Sequence, residues 1–166
     1  MHSEASPPWT ASPAEPANLG WREWLGLPQL GIASIKAKLD TGARSSALHV
    51  AALETFRRDG CLYVRFVVQP RRTRPRTVAC CAPVLDRRSV IDSGGHRSER
   101  WFIRTEVTVG GCGFATEINL TDRRAMLFPL LLGRSALRGR FRVDPSRSYT
   151  CPRPPRRAAA DARPSA

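Results

Sequence analysis

The sequence predicts an all-β domain, a small barrel or sandwich of short strands with one short helix near its C-terminal end. Short segments rich in β-branched and aromatic residues recur along the chain, glycine or proline turn signals separate them, and helical periodicity is almost absent. The length of 166 residues suits one domain with tails, and no apolar run approaches the roughly 20 residues of a membrane span.

Both ends of the chain are predicted to be disordered tails. Residues 1–18 are rich in proline, serine and alanine and lack hydrophobic periodicity, and residues 151–166 have a similar composition. The predicted domain therefore covers residues 19–150. The N-terminus lacks the basic and apolar regions of a secretory signal, so we expect a cytoplasmic protein.

The first half of the domain is predicted to consist of strands around an aspartate turn. Trp21 and Trp24 are interpreted as anchors of an edge strand to the core, because tryptophan buries a large area. Residues 30–39 form one arm of a hairpin in which apolar residues alternate with lysines, the two-residue period of a half-buried strand. A strand at 62–68, a basic loop at 70–76 and a strand at 77–85 follow.

The second half contains the clearest hairpin signal. Residues 101–109 alternate apolar and polar side chains and lead into Gly110-Gly111, and residues 114–120 return as the partner strand. The other predicted elements are a strand at 87–91 before a glycine turn, a very apolar strand at 126–132 in the middle of the core, a short helix at 135–138 and a strand at 141–144.

The tripeptide Asp40-Thr41-Gly42 places a carboxylate at the end of a strand on a tight turn. Two such carboxylates placed face to face share a proton, because like charges a few ångströms apart cannot both ionise. One then acts as a base towards water and the other as an acid towards a carbonyl. The chain has a single Asp-Thr-Gly, so the second carboxylate must come from another copy, and we expect a homodimer.

The Asp-Thr-Gly-Ala turn at 40–43, followed by an apolar strand and Gly133-Arg134, resembles the retropepsin-like aspartic peptidases. The blocks at 21–24, 27–28, 36–49, 128–134 and 143–149 are similar to a bacterial branch often labelled "ATP-dependent zinc protease", also described as the partner of glutamate-adding ATP-grasp ligases. The resemblance covers about residues 20–150. It implies a small closed barrel of the retropepsin (acid protease) type with one short C-terminal helix.

The resemblance also implies roles for individual residues. Asp40 would be the catalytic carboxylate, Thr41 would brace the two loops across the two-fold axis, and Gly42 would let the substrate backbone approach. Ala43 and Arg44, together with Asp92, Ser93 and Gly94 of an enlarged flap region, would contact the substrate.

Two further residues would support the turn. Gly133 would pack under the loop, and Arg134 would tie down the helix by a charge-assisted bond. Viral retropepsins pair this arginine with an aspartate after the Asp-Thr-Gly-Ala turn, but here that position is Arg44. Arg134 therefore needs another carboxylate, for which Glu23 and Glu117 are candidates, while Arg44 could receive an acidic substrate side chain.

The formal net charge is +13, and 25 of the 27 basic residues are arginine. Such a chain would attract nucleic acid, ribosomes or an acidic peptide, or it reflects a bias towards arginine codons on an ordinary surface. The only local concentration of charge is at residues 71–76.

Metal and cofactor motifs are not found in the sequence. It has no His-Glu-x-x-His, no Cys-x-x-Cys and no glycine-rich Gly-Lys-Ser/Thr loop. The spacing of His49, His96, Cys80 and Cys81 matches no familiar zinc site. We therefore expect neither a metal nor a cofactor, and we assign the word ATP in the inherited label to an associated ligase.

The favoured function is a homodimeric aspartic endopeptidase acting on acidic, glutamate-rich peptides. One alternative is a catalytically silent peptide- or ribosome-binding dimer on the same fold. Another is RNA binding through residues 70–76, although the sequence lacks the paired aromatics of an RNA-stacking sheet. The intact Asp-Thr-Gly favours the enzyme.

Overall fold

The computed structural model describes residues 15–122, 124 and 127–155. The strands of this part of the chain are β1 (Ala17–Gly20), β2 (Arg22–Leu27), β3 (Ile32–Asp40), β4 (Ser46–His49), β5 (Ala51–Arg58), β6 (Cys61–Val68), β7 (Val78–Pro83), β8 (Asp86–Ile91), β9 (Arg97–Val109), β10 (Cys112–Thr121), β11 (Leu130–Gly133) and β12 (Phe141–Asp144). One α-helix, α1 (Arg134–Leu137), follows β11, and a 3₁₀ turn at Pro28–Leu30 joins β2 to β3.

Six strands close into a barrel in the order β10–β4–β11–β3–β2–β9, and antiparallel pairing of β9 with β10 completes the circle. The pairings of β11 with β3 and of β10 with β4 are parallel. β8 extends the sheet from β9, β5, β6 and β7 form a three-stranded sheet, and β1 pairs in parallel with β12. The predicted all-β closed barrel with one short helix is confirmed.

The interior of the barrel follows from alternation along β3. Ile35, Ala37 and Leu39 are at most 4% exposed, whereas Lys36 and Lys38 lie on the outer face. The predicted hairpin of β9 and β10 is also present, and Gly110 and Gly111 turn it with φ of 56° and 79°, a backbone region that favours glycine. Because Asp40 alternates with the buried Leu39 at the end of β3, its side chain lies on the outer face of the barrel.

The strand predicted at 126–132 is shorter than expected, and β11 begins only at Leu130. Proline has no N–H to donate to a sheet, so pairing starts after Pro129, and the exposed Leu127 lies outside the core. Met126 lies outside the described residues. The buried Leu130 and Leu132 confirm the central position of the remaining strand.

Strand pairing and hydrogen bonds extend beyond residues 19–150 at both ends of the chain. β1 begins at Ala17 and pairs with β12, a contact that composition cannot reveal because the partner lies over 100 residues away. At the other end, the Cys151 N–H donates to Glu23 at 3.2 Å, and the Arg153 guanidinium donates to Ser34 Oγ at 2.9–3.0 Å. The remaining parts of the predicted tails, 1–14 and 156–166, lie outside the described residues.

Two strands on the outer surface, β2 and β5, differ from what the sequence indicated. β2 is not an edge strand, since β3 and β9 pair with its two sides. Trp24 is half-buried on its outer face, and Trp21, half-buried just before β2, packs edge-on against Phe128 at 5.8 Å. The sequence of β5 does not predict a strand, because seven of its eight residues are exposed and its apolar and polar residues need not alternate.

The adjacent cysteines of β7 differ in exposure. Cys80 is buried, which raises the pKa of its thiol to about 12, and Cys81 is exposed.

Candidate active site

Asp40 is the last residue of β3, and its side chain is held by the turn that follows. Its Oδ1 accepts hydrogen bonds from the backbone N–H groups of Gly42 at 3.0 Å and Ala43 at 3.2 Å. This side chain-to-backbone turn fixes the rotation of the carboxylate. The side chain is 26% exposed, so its second oxygen can be reached from solvent.

Lys38 also contacts the carboxylate and was not identified as a site residue from the sequence. Its Nζ lies 3.6 Å from Asp40 Oδ2, because residues two apart on a strand share a face. The two side chains are 45% and 26% exposed, and ion pairs of this kind contribute little to stability. The ammonium can therefore move aside when a ligand arrives.

The start of α1 anchors the loop between Asp40 and β4. The N–H of Arg134 donates to the carbonyl of Ala43 at 2.7 Å, and the N–H of Ser135 donates to that of Arg44 at 3.1 Å. Both are first-turn amides that the helix itself cannot satisfy. Backbone hydrogen bonds from the start of α1 thus support the Asp40 loop, next to the Gly133-Arg134 pair that the sequence analysis assigned to this support.

Gly133 lies beside Asp40 in the parallel register of β11 and β3. A Cβ on Gly133 would lie 2.5 Å from the carbonyl carbon of Ser45, 2.6 Å from its oxygen and 2.9 Å from the nitrogen of Ser46. All three are backbone atoms, which cannot rotate away as a side chain does. The loop can pack this closely only against a glycine.

We expect Gly133→Ala to lower the free energy of unfolding by about 1–3 kcal/mol, as overpacking does, and to displace the Asp40 loop. The rate of peptide cleavage should fall by more than the loss of folded protein alone would explain. Gly60→Ala is the matched control, since Gly60 has φ of 78° with open space around it and lies in the distant β5–β6 turn. Thermal melting should show a loss of stability in both variants. The cleavage rate should fall in Gly133→Ala alone. Equal cleavage rates in the two variants would contradict the argument that the Asp40 loop packs on Gly133.

A buried polar network supports the Asp40 loop, and no local sequence pattern indicates it. Asn119 donates to the Ser46 carbonyl at 2.8 Å, Arg100 donates to Asn119 Oδ1 at 3.1 Å, and Ser46 Oγ accepts the N–H of Gly133 at 3.0 Å. Ser46 and Asn119 are at most 1% exposed. Asn119 alternates with the core residues Ile118 and Leu120 on β10, so the two-residue period places it on the outer face and does not indicate its burial.

The two carboxylates considered for Arg134 are both engaged elsewhere. Glu23 accepts hydrogen bonds from Gly20 and from the segment after β12, and Glu117 pairs with Arg88 at 2.8 Å. That prediction was wrong. The exposed Arg134 guanidinium instead donates to the carbonyl of Thr41 at 3.4 Å, which ties it to the Asp40 turn, and the ion pairs found in the described part of the chain do not include Arg134.

The remaining predicted site residues fall into two groups. Thr41, Gly42 and Arg44 are exposed on the Asp40 loop. Asp92, Ser93 and Gly94 instead form the tip of the β8–β9 hairpin, where Asp92 Oδ1 accepts the N–H groups of Gly94 at 2.9 Å and His96 at 3.0 Å. These bonds, chiefly that from His96, hold the pKa of Asp92 below its usual range. Contact of this tip with substrate remains a prediction.

The described residues form neither a cluster of metal ligands nor a membrane-spanning helix. No group of three or more histidine, cysteine, aspartate or glutamate side chains there could hold a metal ion. Among the same residues, no helix is long and apolar enough to span a bilayer.

Comparison with known proteins agrees with this geometry. A family model described as "Retropepsin-like aspartic endopeptidase RimB" matches residues 18–154. Proteins named "Probable alpha-L-glutamate ligase" are 41% identical over 129 residues in Desulfotalea psychrophila and 36% identical over 132 residues in Shewanella pealeana. The matches cover 77% and 79% of this chain but only 28% and 29% of those relatives.

A solved structure shows the same fold. The crystal structure of Lpg0085 from Legionella pneumophila, a protein of unknown function (DUF785), superposes with a TM-score of 0.69 at 29% identity. The match covers 81% of this chain and 97% of that one. Together with the Asp40 turn, these matches show that the chain belongs to the RimB-like family of retropepsin-like aspartic endopeptidases.

Proposed function

We propose that this protein is a cytoplasmic, homodimeric aspartic endopeptidase in which each chain contributes Asp40. The observation that carries the proposal is the state of this carboxylate. It stands at the end of a barrel strand, one oxygen is fixed by loop amides, and a quarter of the side chain is open to solvent. The chain has one Asp-Thr-Gly, so the acid that complements it must belong to a second copy.

In this dimer the two Asp40 carboxyl groups share one proton and act as a single titrating unit. The ionised group takes a proton from a bound water while that water attacks the peptide carbonyl carbon. The protonated group gives its proton to the carbonyl oxygen, which yields a gem-diol. Transfer of a proton to the amide nitrogen then breaks the C–N bond and releases an acid and an amine. Thr41 braces the partner's loop, and Gly42 leaves room for substrate backbone.

The proposed substrate is an acidic, glutamate-rich peptide. The net charge of +13, the exposed Arg44 beside the catalytic turn and the family match support it. The relatives named as glutamate ligases contain a region similar to this chain within much longer proteins. We therefore propose that the peptidase works alongside a glutamate-adding ATP-grasp ligase and removes or trims what such a ligase adds.

A subunit-mixing experiment tests the shared site. Wild-type chains and Asp40→Asn chains are refolded together in equal amounts, so that about half of the dimers are mixed. If both aspartates are required, cleavage of an oligoglutamate peptide per wild-type chain falls to about half of its unmixed value. Mixing with Asp59→Asn chains, which keep Asp40 and change only an exposed residue of the β5–β6 turn, should leave the rate per total chain unchanged. In the Asp40→Asn mixture, activity per wild-type chain that stays at its unmixed value would rule out the shared site.

A further inference from the structure

Three cations surround the ring of Trp24 on the outer face of the barrel. The centroid of the ring lies 4.1 Å from Cζ of Arg153, 5.2 Å from Cζ of Arg71 and 5.3 Å from Nζ of Lys36. The ion pairs found among the described residues do not involve any of these three groups. Cation–π contacts hold the cations in place but do not neutralise them. Like charges gathered without a counter-charge favour the binding of an anion.

The cluster borders an open cavity of about 430 Å³. The basic segment 70–76 contributes Arg71, Arg74 and Arg76 to its lining, and Arg153 and the start of β3 contribute to it as well. The sequence had marked this segment as the only local patch of charge. The fold therefore brings together basic residues from two distant parts of the chain.

Alternating aromatic and cationic side chains continue this surface along β2. Trp24 lies 6.0 Å from Tyr149, and the Arg22 guanidinium lies 5.2 Å from the Tyr149 ring and 4.7 Å from the Trp21 ring. Arg22 is opposite Lys38 in the antiparallel register of β2 and β3. The basic surface thus runs from the cavity to the neighbourhood of the catalytic turn.

The basic surface also continues along β3 towards Asp40. Four residues of this strand share its outer face: Ser34, Lys36, Lys38 and Asp40. Their spacing along the strand is about 6.6 Å per pair of residues, so Ser34 and Asp40 are separated by about 20 Å. Lys36 and Lys38 are the only lysines in the chain. The cations at Trp24, Arg22 and these lysines are together called the cationic track.

We propose that the cationic track is an exosite that binds the acidic stretch of a peptide substrate while its scissile bond lies at the Asp40 pair. The inference rests on the proposed function, and it assigns binding to residues far from the reacting atoms. An extended peptide has alternate side chains at the same spacing of about 6.6 Å, so glutamates on one face of it can meet successive cations. The track spans about six residues of such a peptide.

Single-stranded nucleic acid fits this surface less well than an acidic peptide. Sequence-tolerant binding of bases requires aromatic faces on which bases can stack. In the track, the rings of Trp24 and Tyr149 already carry cations. A base would have to displace these cations, whereas carboxylates can bind to them where they are.

Binding to the full-length Asp40→Asn protein tests the exosite without turnover. The probes are a fluorescein-labelled peptide of ten glutamates and a labelled ten-nucleotide oligouridylate, followed by fluorescence anisotropy. In that background, removal of the three cations at Trp24 by Lys36→Ser, Arg71→Ser and Arg153→Ser combined should weaken binding of the peptide at least about tenfold. Arg57→Ser, Arg104→Ser and Arg142→Ser combined remove the same charge from other exposed positions and should change it less than threefold.

Each outcome separates the exosite from the peptidase. Equal peptide affinities for the two triple variants would overturn the exosite, even if the wild-type protein cleaves peptides. Tighter binding of the oligonucleotide than of the peptide, lost in the first triple variant, would overturn the peptide as occupant. Selective loss of peptide binding would support the exosite even if no cleavage were ever detected, and in that case only the peptidase proposal would fall. In the cleaving enzyme, the first triple variant should raise KM for the peptide at least about tenfold.

Discussion

Asp40→Asn should abolish peptide cleavage and leave the fold intact. Loss of the only groups that can take a proton from water and return it to the substrate should lower kcat by about 10³-fold or more. An asparagine keeps an oxygen that can accept the N–H groups of Gly42 and Ala43, which now bond to Asp40 Oδ1. The surface contact with Lys38 is lost, and such contacts are worth little. The melting temperature should therefore stay close to that of the wild type.

The measurement is the rate of cleavage of an oligoglutamate peptide by mass spectrometry, with melting followed by circular dichroism. Asp59→Asn is the matched control, because Asp59 is exposed in the β5–β6 turn and has φ of 50°, which asparagine tolerates. It makes the same chemical change far from the loop and should keep full activity. If Asp40→Asn cleaved within threefold of the wild type, the carboxylate would not be catalytic, and the mechanism based on an Asp40 pair would be excluded.

Much of the architecture could be predicted because it depends on local patterns. The alternation of Ile35, Ala37 and Leu39 with lysines determines which face of β3 is buried. Gly110-Gly111 marks the β9–β10 hairpin, and Asp40-Thr41-Gly42 marks the turn in which the Gly42 N–H bonds to the Asp40 carboxylate. Each of these signals involves residues that are close in sequence, so the sequence alone carries the information.

The parts that could not be predicted depend on contacts between distant residues. Asn119 and Ser46 are separated by 73 positions, and nothing near either residue indicates that they meet under the Asp40 loop. Trp24 was interpreted as a core anchor, because its area favours burial, but segments from 70–76 and 151–155 bring cations to its ring. The interpretation of Glu23 failed for the same reason, since two of its three partner residues, Thr150 and Cys151, lie over 120 residues away.

Those partners make Glu23 a side chain whose loss should cost the domain much of its stability. It is fully buried, and its carboxylate accepts hydrogen bonds from the N–H groups of Gly20 at 2.8 Å, Thr150 at 2.9 Å and Cys151 at 3.2 Å, and from the Thr150 hydroxyl. One side chain thereby joins the end of β1 to the segment that follows β12. Glu23→Ala would leave these donors without an acceptor in the interior.

Each unsatisfied buried donor costs about 1–3 kcal/mol, so Glu23→Ala should lower the free energy of unfolding by about 3 kcal/mol or more. For a chain of this size, that corresponds to a fall in Tm of about 10 °C. Glu23→Gln keeps one carbonyl-type oxygen and should lose less, while the exposed Glu99→Ala should be nearly neutral. Because the Trp21 carbonyl accepts the N–H of Leu39 at 2.8 Å, loosening this region also frees the strand that carries Asp40. Melting of the three variants within 2 °C of one another would show that the buried carboxylate is not what holds the two ends of the domain together.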